Sequence, residues 1–150
     1  GVIPETENFD QKDTEAESKI KNFSGELGIL LEQNHLDRAL KKIMEFSTFF
    51  NQSFQHKEPW KKGPGTANCV FLSVNAARSM AIALFPFLPE SAQRIWEQLG
   101  FSGKINQNSW DSISDVSVKS GHRLGDATPL FAKIEEEDIA KYKKQLGPSE

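Results

Sequence analysis

The sequence predicts an all-α protein, an antiparallel bundle of helices. Apolar residues recur at steps of three or four through most of the first 100 positions. Proline, glycine and asparagine interrupt those runs, so the connections are tight and neighbouring helices must run antiparallel. A chain of 150 residues, 37% hydrophobic and 26% charged, with eleven Phe and three Trp, suits one aromatic-rich core. We divide it, as a single domain over 1–150, into an extended lead-in at 1–12, bundle helices at 13–100, an irregular wrap at 101–134 and a final helix at 135–146.

Pro4 discourages helix in the lead-in. Thr14-Glu15-Ala16-Glu17 has the spacing of a capping box, in which each end side chain satisfies the other's backbone N–H. Ala16, Ile20, Phe23, Leu27, Leu30 and Leu31 follow, giving a helix over about 14–33 that tolerates Gly25 and Gly28. Asn34 is an N-cap candidate, with Asp37 in the first turn where the helix dipole favours acid. Leu36, Leu40, Ile43, Met44, Phe50 and Phe54 read as one stripe of a helix over 35–56. Pro59 stops it and pushes Glu58 out of the helical region. After the turn "KKGPGTAN", helix resumes near Pro64 or Thr66. Val70, Val74, Ala77, Ala81 and Leu84, widened by Phe71, Leu72, Ile82 and Phe85, predict a mostly buried helix. Pro86 ends it. Pro89 opens "PESAQRIWEQL", with Ala92, Ile95, Trp96 and Leu99 inward and Gly100 as a left-handed terminus. Trp110 and Ile113 mark a short helical turn. "PLFAKI" reads as a short strand or an extended packing segment. "EEEDIAKYKKQL" runs from acidic to basic, as a helix dipole prefers.

Several function classes drop out. No apolar run approaches the ~20 residues of a membrane helix, and "GVIPETENFDQKD" lacks the pattern of a secretory signal. Cys69 is the one cysteine, which excludes an internal disulfide and a cysteine zinc cluster and fits a reducing cytoplasm. His35, His56 and His122 are scattered, Glu135 to Asp138 read as an acidic first turn, and no phosphate-binding glycine motif occurs. The expectation is a chain with no catalytic, cofactor-binding or metal-binding residues of its own.

The charge is uneven. The formal net charge is -3, yet residues 34–104 hold nine basic and five acidic side chains, against nine and sixteen in the flanks. A basic middle can meet a polyanion at one patch. Within it lies "QHKEPWKKGPG". Trp60 fits two readings: a core side chain under the turn, or a platform on which an unpaired base stacks, worth ~1–3 kcal/mol per base. In the second, Lys57, Lys61 and Lys62, with Lys41 and Lys42 upstream, hold phosphates.

The order of these segments resembles a known family. Asn51 eight residues before Pro59-Trp60 is similar to the "N-x-Y…PW" signature in the anticodon-binding domain of methionyl-tRNA synthetases. "LFPFLPESAQRIWEQLG" resembles the joint between two helices of that bundle, and "GHRLGDATPLFAKIEEEDI" resembles its tail. The resemblance covers about residues 1–146. It implies the helical bundle of the class I synthetase anticodon-binding type and a role in reading the CAU anticodon of a tRNA. It implies that Trp60 stacks on an anticodon base, with Asn51 in support. It also implies that the chain is a fragment. The HIGH and KMSKS signatures are absent, so ATP and methionine belong to a catalytic domain of the same polypeptide. The family's Tyr two residues after the Asn is Ser53 here. "GVIPE" resembles the segment after the family's first bundle helix, so an apolar face would stand uncovered, to be filled by a second copy or by rearrangement. Two alternatives stay open: a helical module for protein–protein contact, and the corresponding bundle of a synthetase for leucine, valine or cysteine. Pro59-Trp60 and "PLFAKI" favour methionine.

Overall fold

A capping box starts the first helix, α1 (Gln11–Glu32), and its members are Asp10 and Asp13. Asp10 Oδ1 accepts from the Asp13 amide at 2.8 Å, and Asp13 Oδ2 accepts from the Asp10 amide at 3.2 Å. The box expected at Thr14 and Glu17 does not form. Thr14 already lies inside the helix, its hydroxyl donating to the Asp10 carbonyl at 2.9 Å. An ionised carboxylate both accepts the free amides and sits at the positive end of the helix dipole, so the aspartates win. The structure, a computed structural model, describes residues 1–136 together with 139, 141 and 142.

α1 ends in a left-handed residue, Asn34 (φ 58°). The His35 amide donates to Leu30 O at 2.9 Å and the Asn34 amide to Leu31 O at 3.0 Å. This is a Schellman closure, and asparagine tolerates the conformation better than most side chains. Asn34 therefore closes α1 rather than capping the next helix. α2 (Leu36–Lys57) has His35 at its N-cap, with no side-chain cap bond.

The expected stripe of α2 splits in two. Ala39, Ile43, Phe46 and Phe50 are buried, and Phe46 stacks on Phe23 of α1 with centroids 3.9 Å apart. Leu36, Leu40 and Met44 face solvent. Leu40 and Met44 each follow a buried residue by one position, which is about 100° around a helix of 3.6 residues per turn. Phe46, missing from the expected stripe, is what completes the inward line.

α3 (Thr66–Leu84) packs on α1 and α2. By length and hydropathy alone it is long enough to cross a membrane. Here most of it is buried in the bundle, and four of its buried residues are polar: Asn68, Asn75, Arg78 and Ser79. Three of these bind chain outside the helix. Asn75 Oδ1 accepts from the Val118 amide at 2.9 Å, and its Nδ2 donates to Val118 O at 3.1 Å. Arg78 Nη1 donates to Ser112 O at 2.7 Å, with the guanidinium 5.8 Å from the Trp96 ring. Burial lowers the pKa of Arg78, and Asp115 opposes that shift. Asn68 holds the lead-in, as described below.

α4 (Pro89–Gln98) packs on α3 and turns Ala92 and Trp96 inward. Gly100 (φ 81°) ends this region, and a side chain there would run into the Arg123 carbonyl. The wrap contains 3-10 turns at Ile105–Gln107 and Trp110–Ser114, with Ile105 and Ile113 buried. Trp110 Nε1 donates to Ser24 O at 3.3 Å. The start of the chain closes over the wrap: the Ile3 amide donates to His122 O at 2.9 Å and the Gly121 amide to Ile3 O at 2.8 Å. This pairing is an isolated bridge, and no strand forms among the described residues.

"PLFAKI" is held by its backbone. Arg94 donates to Pro129 O at 2.9 Å and Leu130 O at 2.7 Å, while Phe131 and Ile134 are exposed. Neither a strand nor an apolar packing segment forms there. Of the final helix, Glu136, Ile139, Lys141 and Tyr142 are helical and Glu135, the expected first residue, is not; positions 137, 138, 140 and 143–146 lie outside the described residues.

Asn75→Ala should lower unfolding free energy by about 2–3 kcal/mol, because it leaves the Val118 amide and carbonyl buried without partners. Chemical denaturation measures the loss, and hydrogen exchange should show the Val118 amide opening first.

Candidate functional site

The end of α2 and the beginning of α3 are joined by a hairpin whose shape follows from three residues. Pro59 has no amide to continue α2, and Glu58 takes the left-handed conformation (φ 44°). Pro59–Lys61 forms a 3-10 turn, Lys62 (φ 51°) is left-handed again, and Gly65 (φ 75°) leads into α3. Pro59 is the buried residue of the turn. Trp60 beside it is 54% exposed, so the core reading of this side chain fails. Its ring meets Phe54 of α2, with centroids 6.2 Å apart and planes tilted by 50°.

Asn51 lies on the exposed side of α2, one helical turn before Phe54. Both line a groove of about 210 Å³ between α2 and α3, with Phe46, Phe50, Ala77 and Met80. Phe54 thus both lines the groove and touches the Trp60 ring. Ser53 faces elsewhere and lines a small cavity of about 40 Å³ with His56, Lys57 and Cys69. Cys69 is buried, and burial pushes its thiol up.

The lysines expected to act together have different environments. Lys57 Nζ lies 2.6 Å from Asp10 Oδ2 and 3.1 Å from Asp13 Oδ1, with 17% of its side chain exposed. Lys61 pairs with Glu58 at 2.7 Å on the surface. Lys62 is exposed and has no carboxylate partner among the described residues. Lys41 and Lys42 do not join the site: at 1.5 Å per residue they lie over 20 Å back along α2, paired with Glu45 and Glu26.

Sequence reasoning missed the polar cluster under the hairpin. Asp13 is 3% exposed and Asn68 1%. Asn68 Nδ2 donates to Asp13 Oδ2 at 2.9 Å and to Asn8 O at 3.2 Å, and its Oδ1 accepts from the Glu7 amide at 2.8 Å. Glu7 Oε2 accepts from the Gly65 amide at 3.3 Å. Two signals were present: the Asp10-x-x-Asp13 spacing, and an asparagine in the first turn of the most apolar helix. The Lys57 hydrogen bond is the main cause that holds the Asp10 carboxyl below its ordinary value. Burial works against the Lys57 charge, but the bonds to Asp10 and Asp13 outweigh it, and its pKa lies above the ordinary lysine value.

Comparison with known proteins agrees with this architecture. A family described as the anticodon binding domain of methionyl tRNA ligase matches residues 3–150. The methionine–tRNA ligase of Methanopyrus kandleri is 34% identical over 151 residues, covering 97% of this chain and 22% of that protein. The methionine–tRNA ligase of Pyrococcus horikoshii is 32% identical over 143 residues, covering 93% of this chain and 19% of that protein. The chain thus spans about a fifth of the length of these relatives. The crystal structure of the free methionyl-tRNA synthetase of Mycobacterium tuberculosis superposes with a TM-score of 0.76 at 21% identity, over 90% of this chain and 28% of that one, which supports the fold.

The Lys57 ion pairs set a window of stability. The depressed Asp10 pKa gives stability that is present above the unfolded carboxyl value and lost as pH falls through the folded one, below about pH 4. The raised Lys57 pKa gives stability that is present below the unfolded amine value and lost as pH rises through the folded one, above about pH 10. Urea midpoints across pH should fall at both ends for the wild type, and Lys57→Met should flatten both slopes.

Proposed function

The chain belongs to the family of anticodon-binding domains of methionyl-tRNA ligases, and from that premise we propose that it reads the CAU anticodon by stacking one unpaired base on Trp60. The observation that carries the reading is the exposure of Trp60. A tryptophan that keeps more than half its surface in water, on a turn whose neighbouring proline is buried, serves a ligand better than it serves the core. Phe54 supports the ring from behind and continues it into the groove. Asn51, exposed on the rim of that groove, offers a donor and an acceptor to a base edge. Lys62 supplies the unpaired positive charge for a phosphate, with Lys61 beside it. Recognition, not bond chemistry, is the task of these residues. Joining methionine to the tRNA with ATP falls to a catalytic domain of the same polypeptide, in the cytoplasm.

The exposed apolar residues of α2 belong to the same reading. Leu36, Leu40 and Met44 follow one another at steps of four and stay in solvent. We infer that this face is a packing surface for a further apolar helix. Alone, the chain pairs this face with a second copy.

The anticodon reading is checked by titrating the chain with a stem-loop carrying CAU and with one carrying another triplet, following tryptophan fluorescence. CAU should bind more tightly. Trp60→Ala should weaken CAU binding about tenfold or more, from the loss of one stacked base, while shifting stability by under about 1 kcal/mol. Equal response to both triplets would sink the reading. For the apolar face, sedimentation at rising concentration should show a weak dimer, and Leu40→Glu should abolish it without lowering the helix content seen by circular dichroism.

A further inference from the structure

Lys57 lies three residues before Trp60, yet its partly buried ammonium is already held by Asp10 and Asp13. It also touches both ends of the hairpin. It is the last residue of α2, one position before the left-handed Glu58. At the other end, its Nζ comes within 3.5 Å of where a side chain on Gly65 would begin. Asn68 completes the base of the turn. It holds Asp13, which holds Lys57, and it holds the Glu7 amide, while the Glu7 carboxylate holds the Gly65 amide. Every member of this set is fixed to a different element: Asp13 to α1, Lys57 to α2, Asn68 to α3 and Glu7 to the lead-in. The hairpin between residues 58 and 65 has left-handed residues at both ends and in the middle, so its course depends on how those ends are held.

We propose that Lys57, with Asn68, is a positioning residue: the Asp10–Asp13–Lys57–Asn68 network clamps both ends of the hairpin and so fixes the direction in which Trp60 presents its ring to a base. Lys57 makes no phosphate contact. This rests on the reading of Trp60 as the base platform, and it changes the part assigned to the most buried of the three lysines. A lysine already committed to two carboxylates cannot release counterions from RNA without breaking both pairs. Lys62, which has no carboxylate partner among the described residues, is the residue that can.

The two parts give different measurements. In the full chain labelled with fluorotryptophan, fluorine NMR shows one line for each of Trp60, Trp96 and Trp110, and Trp60→Phe assigns the first. Without RNA, Lys57→Met and Asn68→Ala should each shift or broaden the Trp60 line and leave the other two in place. Lys57→Arg should restore it. With the CAU stem-loop, both variants should bind roughly tenfold more weakly, the scale of one lost stack, with the wild-type salt dependence. Lys62→Ala should do the reverse: it should leave the Trp60 line unmoved and lower the slope of log affinity against log salt by roughly 0.7. The proposal is overturned if Lys57→Met and Asn68→Ala leave the Trp60 line unchanged. It is overturned equally if all three lines move together in both variants, which marks general destabilisation, or if Lys57→Met lowers the salt slope as Lys62→Ala does. A wild type that binds neither stem-loop removes the anticodon reading, while the lines recorded without RNA still decide the positioning.

Discussion

The constraint on which one end of this bundle depends is the burial of Asp13. A carboxylate with 3% of its surface exposed must be paired and hydrogen-bonded, because an isolated buried charge costs several kcal/mol. Its partners come from separate elements: the Asp10 amide before α1, the Lys57 ammonium at the end of α2, and the Asn68 amide group in the first turn of α3. Satisfying one side chain therefore brings two helix beginnings and one helix end to the same place. The hairpin that carries Trp60 is the connection left between two of those ends. The position of the exposed aromatic is thus a consequence of where a buried acid finds its donors.

The same convergence sets the electrostatics. Acid at the beginning of α1 and base at the end of α2 both agree with the helix dipoles, so the pairing is supported from the backbone as well as by direct contact. The pairing also removes Lys57 from the field seen by a polyanion. Around Trp60 there remain Lys61, compensated in part by Glu58, and Lys62. Exposed charges like these act through a medium of high dielectric and are screened within about 8 Å at physiological salt. A stacked base is worth ~1–3 kcal/mol. If a base stacks on Trp60, the aromatic surface would outweigh the local charge, which is the opposite of what a count of nearby lysines suggests.

Much of this was legible in the sequence. The four main helices follow from apolar spacing and from Pro59, Pro86, Pro89 and Gly100, because each proline or glycine acts on its own backbone and needs no distant partner. The family was legible from the order of its segments, and a family described as the anticodon binding domain of methionyl tRNA ligase matches residues 3–150. The misreadings involve choices between neighbours. Thr14 and Asp10 both suit an N-cap, and Asn34 suits both the end of one helix and the start of the next; the Asp10–Asp13 capping box and the Schellman closure at Asn34 decided each. The ion pairs of Lys57 join residues 44 to 47 positions apart, and nothing local to "QHKEPWKK" announces them. "PLFAKI" was misread because apolar composition implies burial, whereas Arg94 holds that segment by its carbonyls and leaves Phe131 and Ile134 outside.

α2 carries more apolar surface than its own core uses, and magnitudes decide what can cover it. Fully burying a leucine or methionine contributes about 1.5–3 kcal/mol. Leu36, Leu40 and Met44 are 58%, 37% and 57% exposed, so roughly half of that remains to be gained at each. Two free molecules lose about 4–15 kcal/mol of translational and rotational freedom on pairing. Three half-exposed side chains from each of two copies would gain about 5–9 kcal/mol, which reaches only the lower half of that range. A dimer formed on this face alone would therefore be weak. A segment joined to the same chain loses far less freedom, because its effective concentration is already high. The same few side chains that would hold a second copy poorly would hold a tethered helix well. Such a helix would run along the exposed side of α2, where Asn51 follows Met44 by seven residues, about two helical turns, and so lies on the same face.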